Sequence, residues 1–242
     1  MKILVTGTSN GLGKYLLNSL NCYGFNRQIN FEDIKKEEYD LIIHCAFNTK
    51  NTIPQSYISS YIEDNVFLTK RLVNEVKSNK FIFISSVDVY PKDQEKNEDI
   101  DINIDKISNI YGKTKLISEE IVKNHNNFLI LRCSGIIGVE KLPKSVVNIL
   151  QSKKTTLTST SKVNYITQKT ILDIINSNDI KNQVINVASP LSMEIKELET
   201  IVNPIEYGTY HYDVGNISIE KLKKHFPKIK NNSSKNNLLD II

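Results

Sequence analysis

A chain of 242 residues with a formal charge of +4 and 24% charged side chains is long enough for one α/β domain with a small lobe, and its scattered lysines exclude an electrostatic footprint for nucleic acid. Three cysteines, Cys22, Cys45 and Cys133, are an odd number without metal spacing and read as reduced thiols of structural role. No apolar run approaches the roughly 20 residues of a membrane span, and the apolar start is too short for a signal-peptide core, so a soluble cytoplasmic protein is expected.

Ile3-Leu-Val5 is a short apolar run, as in a strand buried on both faces. A turn carrying Gly7, Gly11 and Gly13 follows it. Leu12, Tyr15, Leu16 and Leu20 then repeat at helical spacing until Gly24 interrupts them. Residues 25–30 predict a weak second strand and 39–45 a strong one. A helix is expected over 57–78, with Val66, Leu72, Val73 and Val76 on its apolar stripe. Residues 80–86 read as a buried strand, 91–108 as a polar loop, 111–123 as a helix and 128–132 as the next strand. Farther on, 184–187 predicts a strand, 193–201 and 218–225 short helices, and 231–237 a loose polar segment.

Strands alternating with helices imply βαβ units and a doubly wound, Rossmann-like parallel sheet. No βα pair separates the second strand from the one at 39–45, so the first half of the sheet is expected to be trimmed. The whole chain reads as a single Rossmann-like domain. Residues 139–242 contribute a small substrate-binding portion whose later elements return to the sheet.

Between a strand and a helix, glycines at these positions acquire a purpose. Gly7 can take the positive φ of a tight turn. Gly11 and Gly13 let backbone approach a pyrophosphate lying on the helix N-terminus. Tyr111 and Lys115 are four residues apart and share a helix face. His44 ends a buried strand and reads as a core residue. His125, His211 and His225 show no mutual spacing, so no metal site is predicted.

Thr6-Gly-x-x-x-Gly-x-Gly13, His44-Cys-Ala-Phe47, Asn65, Ser85-Ser-Val-Asp-Val-Tyr90 and Tyr111-x-x-x-Lys115 together resemble the short-chain dehydrogenase/reductase family. The nearer likeness is to its extended, sugar-nucleotide-modifying branch. Leu131-Arg-Cys-Ser-Gly-Ile-Ile-Gly138 resembles that branch's Leu-Arg-x-x-x-x-Tyr-Gly stretch, with Ile137 replacing the tyrosine. Asn164-Tyr-Ile166 and Val184-Ile-Asn-Val-Ala188 resemble later segments. The glycine spacing is instead that of the shorter, single-domain branch.

The resemblance implies that Tyr111 is the general acid/base. A free tyrosine titrates near 10, and the charge of Lys115 would lower it while the ammonium holds the cofactor ribose. Ser86, 25 residues before Tyr111, would orient the substrate oxygen, and is preferred to Ser85. Asn65 would support the active-site helix. The implied cofactor contacts are Gly7, Ser9, Asn10, Gly11, Leu12, Gly13, Arg27, Asp33, Cys45, Ala46, Phe47, Asn65, Tyr111 and Lys115. Ser86, Val87 and Asp88 would meet the substrate.

Dehydratases of the branch carry an Asp-Glu pair where this chain has Val87 and Asp88. A valine cannot protonate a leaving hydroxyl, which leaves ketone reduction or epimerisation. The second strand offers Asn26, Arg27 and Asn30 rather than a carboxylate, with Lys14 nearby in sequence, which favours NADP over NAD. Lys162 and Val163 stand where the branch usually places an arginine for the nucleotide diphosphate.

The expected function is therefore NAD(P)H-dependent reduction of a keto group on a nucleotide-activated (deoxy)sugar. An epimerase with tightly held NAD and a non-catalytic NAD(P)-sensing protein are the alternatives. The resemblance also implies a homodimer through the helices carrying Asn65 and Tyr111, with Leu68, Leu72, Leu116 and Ile117 as contacts.

Overall fold

In the computed structural model, which describes residues 1–50, 53–139, 141–177 and 180–242, six strands form the central sheet. They are β1 (Ile3–Thr6), β2 (Tyr23–Phe25), β3 (Leu41–His44), β4 (Phe81–Ser86), β5 (Phe128–Cys133) and β6 (Gln183–Val187). Their spatial order is β6-β5-β4-β3-β1-β2, with every pairing parallel. Chain order reverses at β1, which has β2 on one side and β3 on the other. The crevice beyond the strand ends at such a switch point is where open α/β sheets bind ligands.

The helices are α1 (Gly11–Ser19), α2 (Phe31–Lys35), α3, α4 (Ile110–Val122), α5 (Lys144–Ser152), α6 (Gln168–Asn176), α7 (Glu220–His225) and α8 (Ser234–Leu239). Helix α3 runs through Ile58–Ile62, a π-helical turn at Glu63–Phe67 and Leu68–Glu75. The period of two along each strand sorts side chains onto two faces. Ile3, Val5, Ile43 and Leu131 pack with Leu16 of α1, Ile171 of α6 and Leu222 of α7. Leu4, Ile42, Phe83 and Ile130 pack with Leu72 of α3 and Val122 of α4 on the other face.

A third apolar cluster gathers Ile137, Val146, Ile149, Tyr165, Met193, Leu198 and Leu238. It belongs to the small portion, where Gly135–Ile137 pairs in parallel with Tyr165–Thr167 and Lys162–Val163 pairs antiparallel with Met193–Glu194. β6 nevertheless returns to the main sheet beside β5. No helix among the described residues is long and apolar enough to cross a membrane.

Several elements differ from their sequence expectation. The second strand lies at Tyr23–Phe25, not 25–30, because Asn26 turns the chain by accepting the Gln28 amide and Asn30 then caps α2. α3 ends at Glu75, and Lys77–Ser78 pairs with Glu38–Tyr39 as a short parallel ladder. Residues 193–200 form a short strand and a 3₁₀ turn rather than a helix. The loose segment at 231–237 is instead largely α8, capped by Ser233. Ser234 accepts the Tyr165 amide, and Asn237 donates to Tyr165 O and Ser189 Oγ, each at 2.8 Å. That polar docking leaves no apolar period in the sequence.

Candidate active site

The turn between β1 and α1 is built for backbone approach. Gly7 and Gly11 hold positive φ, +74° and +56°. A Cβ on Gly13 would lie 2.3 Å from Gly7 O, so only glycine lets α1 start this close to the strand end. A Cβ on Gly7 would meet Ala46 backbone at 2.7 Å, which places the 45–47 segment directly against the turn. Ser9 and Asn10 are exposed beside it, and Leu12 is buried. This glycine-lined cradle at a helix N-terminus fits a dinucleotide pyrophosphate.

Ser86 ends β4, and Tyr111 opens α4. A Cβ on Gly112 would stand 2.1 Å from Asp88 O, so a glycine beside Tyr111 allows α4 to close on the Ser86–Asp88 segment. Asn109 caps that helix by accepting the Gly112 amide at 2.7 Å. Tyr111 is half-buried, with Ser86 close enough to act on its phenol. Ser86 Oγ also accepts the Asp88 amide at 3.1 Å. Ser85 points elsewhere, donating to Glu119 Oε1 at 2.5 Å.

The expected depression of the tyrosine does not occur. Burial pushes the Tyr111 phenol well above 10, and the Asp88 charge adds to the rise against a smaller effect of Ser86. Lys115 is the group brought down, to about 7, by burial. Its ammonium donates to Ile84 O at 2.5 Å and lies 3.6 Å from the Phe47 ring centre and 4.5 Å from that of Phe83. The Tyr111 ring centre is 5.9 Å away. Burial also pushes the Cys45 thiol up to about 12, so it is not a thiolate.

Asn65 sits in the π turn of α3 and is fully buried. Its side chain accepts the Asn48 amide at 2.6 Å and donates to Asn48 O and to Thr114 Oγ1 of α4. It thereby ties the segment after β3 to the active-site helix. π turns recur at functional sites because they redirect one side chain within a helix. His44 bridges Thr6 and Thr69 at 2.7 and 2.9 Å, and burial lowers it to about 3, so it is a neutral core group.

On the adenosine side, Asn26 reaches Thr8 Oγ1 at 3.4 Å, next to the glycine turn. Arg27 follows it but is ion-paired with Asp64 of α3 at 2.6 Å. Asp33 lies on α2, paired with Lys36 at 3.5 Å, and makes no hydrogen bond to the turn among the described residues.

Asp88 is mostly buried beside Ser86, and burial raises its carboxyl above the ordinary range. Residues absent from the sequence reading gather near it: Lys92 and Lys96 act on Asp88, Asp88 acts on Tyr212, and Asp213 acts on Lys96. Lys96, Tyr212 and Asp213 are brought there because Lys96 bridges to Ile217 while Lys162 bridges to Asp213. The 212–217 strap so formed joins the small portion to the loop after β4. Among the described residues, no group of His, Cys, Asp and Glu side chains could hold a metal ion.

The model of the NAD dependent epimerase/dehydratase family matches residues 23–179, a span that begins after the glycine turn. No curated protein matches the chain. A variant of UDP-glucuronic acid 4-epimerase from Bacillus cereus, solved with UDP-4-deoxy-4-fluoro-glucuronic acid and NAD, is 18% identical over 100% of both chains, with a TM-score of 0.76. dTDP-4-dehydrorhamnose reductase from Bacillus anthracis, solved with NADP, is 18% identical over 93% of this chain and 91% of that one, with a TM-score of 0.76. dTDP-glucose 4,6-dehydratase from the same organism, solved with NAD, is 17% identical over 100% and 96%, with a TM-score of 0.73. At these identities the likeness is one of fold.

Proposed function

The chain belongs to the NAD dependent epimerase/dehydratase family, and from that premise we propose that it reduces a keto group on a nucleotide-activated sugar at the expense of NAD(P)H. The observation that carries the reading is the Tyr111 phenol, close to Ser86 and kept protonated by burial and by Asp88. A phenol in that state is a proton donor waiting for an oxygen that gains charge. A nicotinamide dinucleotide on the glycine turn supplies the hydride when bound. Ser86 holds the carbonyl oxygen and Tyr111 delivers its proton to it, a role typically worth about 10²–10⁴-fold in rate. Lys115 and Asn65 fix the helix that carries Tyr111.

Val87 in place of an acid disfavours loss of a hydroxyl. Epimerisation is the second reading, favoured by the whole-chain likeness to the Bacillus cereus epimerase, whose structure holds NAD. Arg27 and Lys14 favour NADP over NAD in this proposal. The proposed assembly is a homodimer through α3 and α4. Leu72 and Leu116 are buried in the monomer's own core, so Phe67 and Ile117, 43% and 39% exposed, take over as the contact residues.

Incubating the protein with NADPH or NADH and a UDP- or dTDP-4-keto sugar, and following loss of reduced cofactor, tests the reading. Stoichiometric oxidation with formation of the hydroxy-sugar is expected. Interconversion of sugar epimers with no net oxidation would establish the epimerase instead.

A further inference from the structure

Lys96 is a buried lysine whose ammonium holds no partner among the described residues. Only 8% of it is exposed. Among the described residues its ammonium makes no hydrogen bond and no ion pair within 4.0 Å. Burial lowers it, while Asp213 and then Asp88 pull the other way. Its backbone is fixed: Lys96 O accepts from the Ser218 amide at 2.9 Å and from Asn186 Nδ2 at 3.0 Å. The side chain runs under the strap, where Gly215 has φ of +69° and a Cβ would come within 3.0 Å of the ammonium. A buried donor group of this kind is costly unless something pairs with it.

The surroundings say what can. Asp88, on the inner side, adjoins Ser86 and the Tyr111 phenol. Asp213, on the outer side, is held by the Gly215 amide at 2.7 Å. Tyr212 lies within reach of the Asp88 charge. Lys96 and Lys92 stand against Asp88 and Asp213, two cations to two carboxylates, so the group has no surplus positive charge to offer a further anion. A hydroxyl needs none, because it can accept from the ammonium and donate to a carboxylate at once.

We propose that Lys96, with Asp88, reads a ring hydroxyl of the substrate next to the reacting carbon and selects neutral hydroxylated sugars over those bearing a carboxylate. This rests on the nucleotide-sugar reading given above. It makes Lys96 a specificity residue: its contribution falls on sugar binding rather than on proton transfer.

Calorimetry on the full chain saturated with NADP⁺ or NAD⁺ tests it with UDP-glucose, dTDP-glucose, UDP-glucuronic acid, UDP and dTDP. The glucose nucleotide is expected to bind more tightly than the glucuronate. Lys96→Met is expected to weaken it about tenfold or more, as loss of a charge-assisted hydrogen bond implies, and to leave UDP, dTDP and the cofactor unchanged. Gly215→Ala, which crowds the ammonium without removing it, is expected to act in the same direction. Melting temperatures of both variants monitor folding. Equal glucose-nucleotide affinity in wild type and a folded Lys96→Met protein would overturn the inference and leave the proposed function standing. So would an equal loss for UDP alone, or tighter binding of the glucuronate that Lys96→Met abolishes. Binding of cofactor but of no nucleotide or nucleotide sugar would overturn the proposed function and this inference with it.

Discussion

Tyr111 and Lys115 divide their work differently from the pattern their spacing suggests. Tyr111→Phe is expected to cut kcat by about 10²–10⁴-fold with cofactor affinity retained, measured by steady-state kinetics and cofactor titration. The rate with wild-type protein should show no loss attributable to Tyr111 as pH climbs to about 10, where a free tyrosine already ionises. Lys115 has the opposite linkage. Its folded value of about 7 lies below the ordinary 10.5, so between those values the unfolded chain binds a proton that the folded chain has released. Its cost is fully present below pH 7 and fades as pH rises towards 10.5, so stability should increase across that window. Lys115→Met should therefore be more stable than wild type at pH 7 in denaturant unfolding, by on the order of a few kcal/mol, with the gap closing by about pH 10. Arg27 is already tied to Asp64. Asp64→Asn is expected to free it and to raise the affinity for NADPH relative to NADH about tenfold, by calorimetry at fixed salt. The serine, tyrosine and lysine were legible because spacing within a helix and at a strand end is local information. Lys96 and Asp213 were not, because they meet only through the strap. The direction of the Tyr111 shift depends on burial, which no motif encodes.

The elements are locked around the site by a buried polar network. Arg132 of β5 makes three contacts of 2.7 to 3.1 Å with Glu119 of α4 and donates to Tyr90 Oη at 2.9 Å. Tyr90 donates to Asn186 of β6 at 2.9 Å, and Asn186 holds the backbone carbonyl of Lys96. One chain of contacts therefore sets α4, β5, β6 and the loop after β4 relative to one another. Removing one partner of a buried ion pair strands the other charge, so Glu119→Leu is expected to cost about 3–5 kcal/mol in denaturant unfolding. The apolar strands and α4 were readable from period alone. The π turn in α3 and the docking of α8 were not, since both depend on asparagine side chains finding distant carbonyls: Asn65 to Asn48, Asn237 to Tyr165.

Across the molecule, the expected trimming of the sheet is what the strand order displays: β2 follows β1 outward and, among the described residues, no strand follows β2. The same small chain still carries a separate apolar cluster in its C-terminal portion. Light scattering at micromolar concentration is expected to give a dimer mass, and Phe67→Glu with Ile117→Glu to give a monomer. The sequence pattern was blind to this choice, because Leu72 and Leu116 look equally suited to a core and to an interface and the structure buries both.

A sheet that stops one strand early must end somewhere, and here it ends on β2, three residues long. An outermost strand is a template on which another molecule can add its own. With three residues it presents too few amide and carbonyl groups for a foreign strand to find register. Phe31 and Ile34 of α2 pack beside Phe25 at its end, and Arg27 and Asp64 set a charge pair just past it. The short strand leaves this margin blunt, so edge-to-edge growth should be disfavoured on the β2 side of the sheet, whereas β6, five residues long, forms the opposite margin.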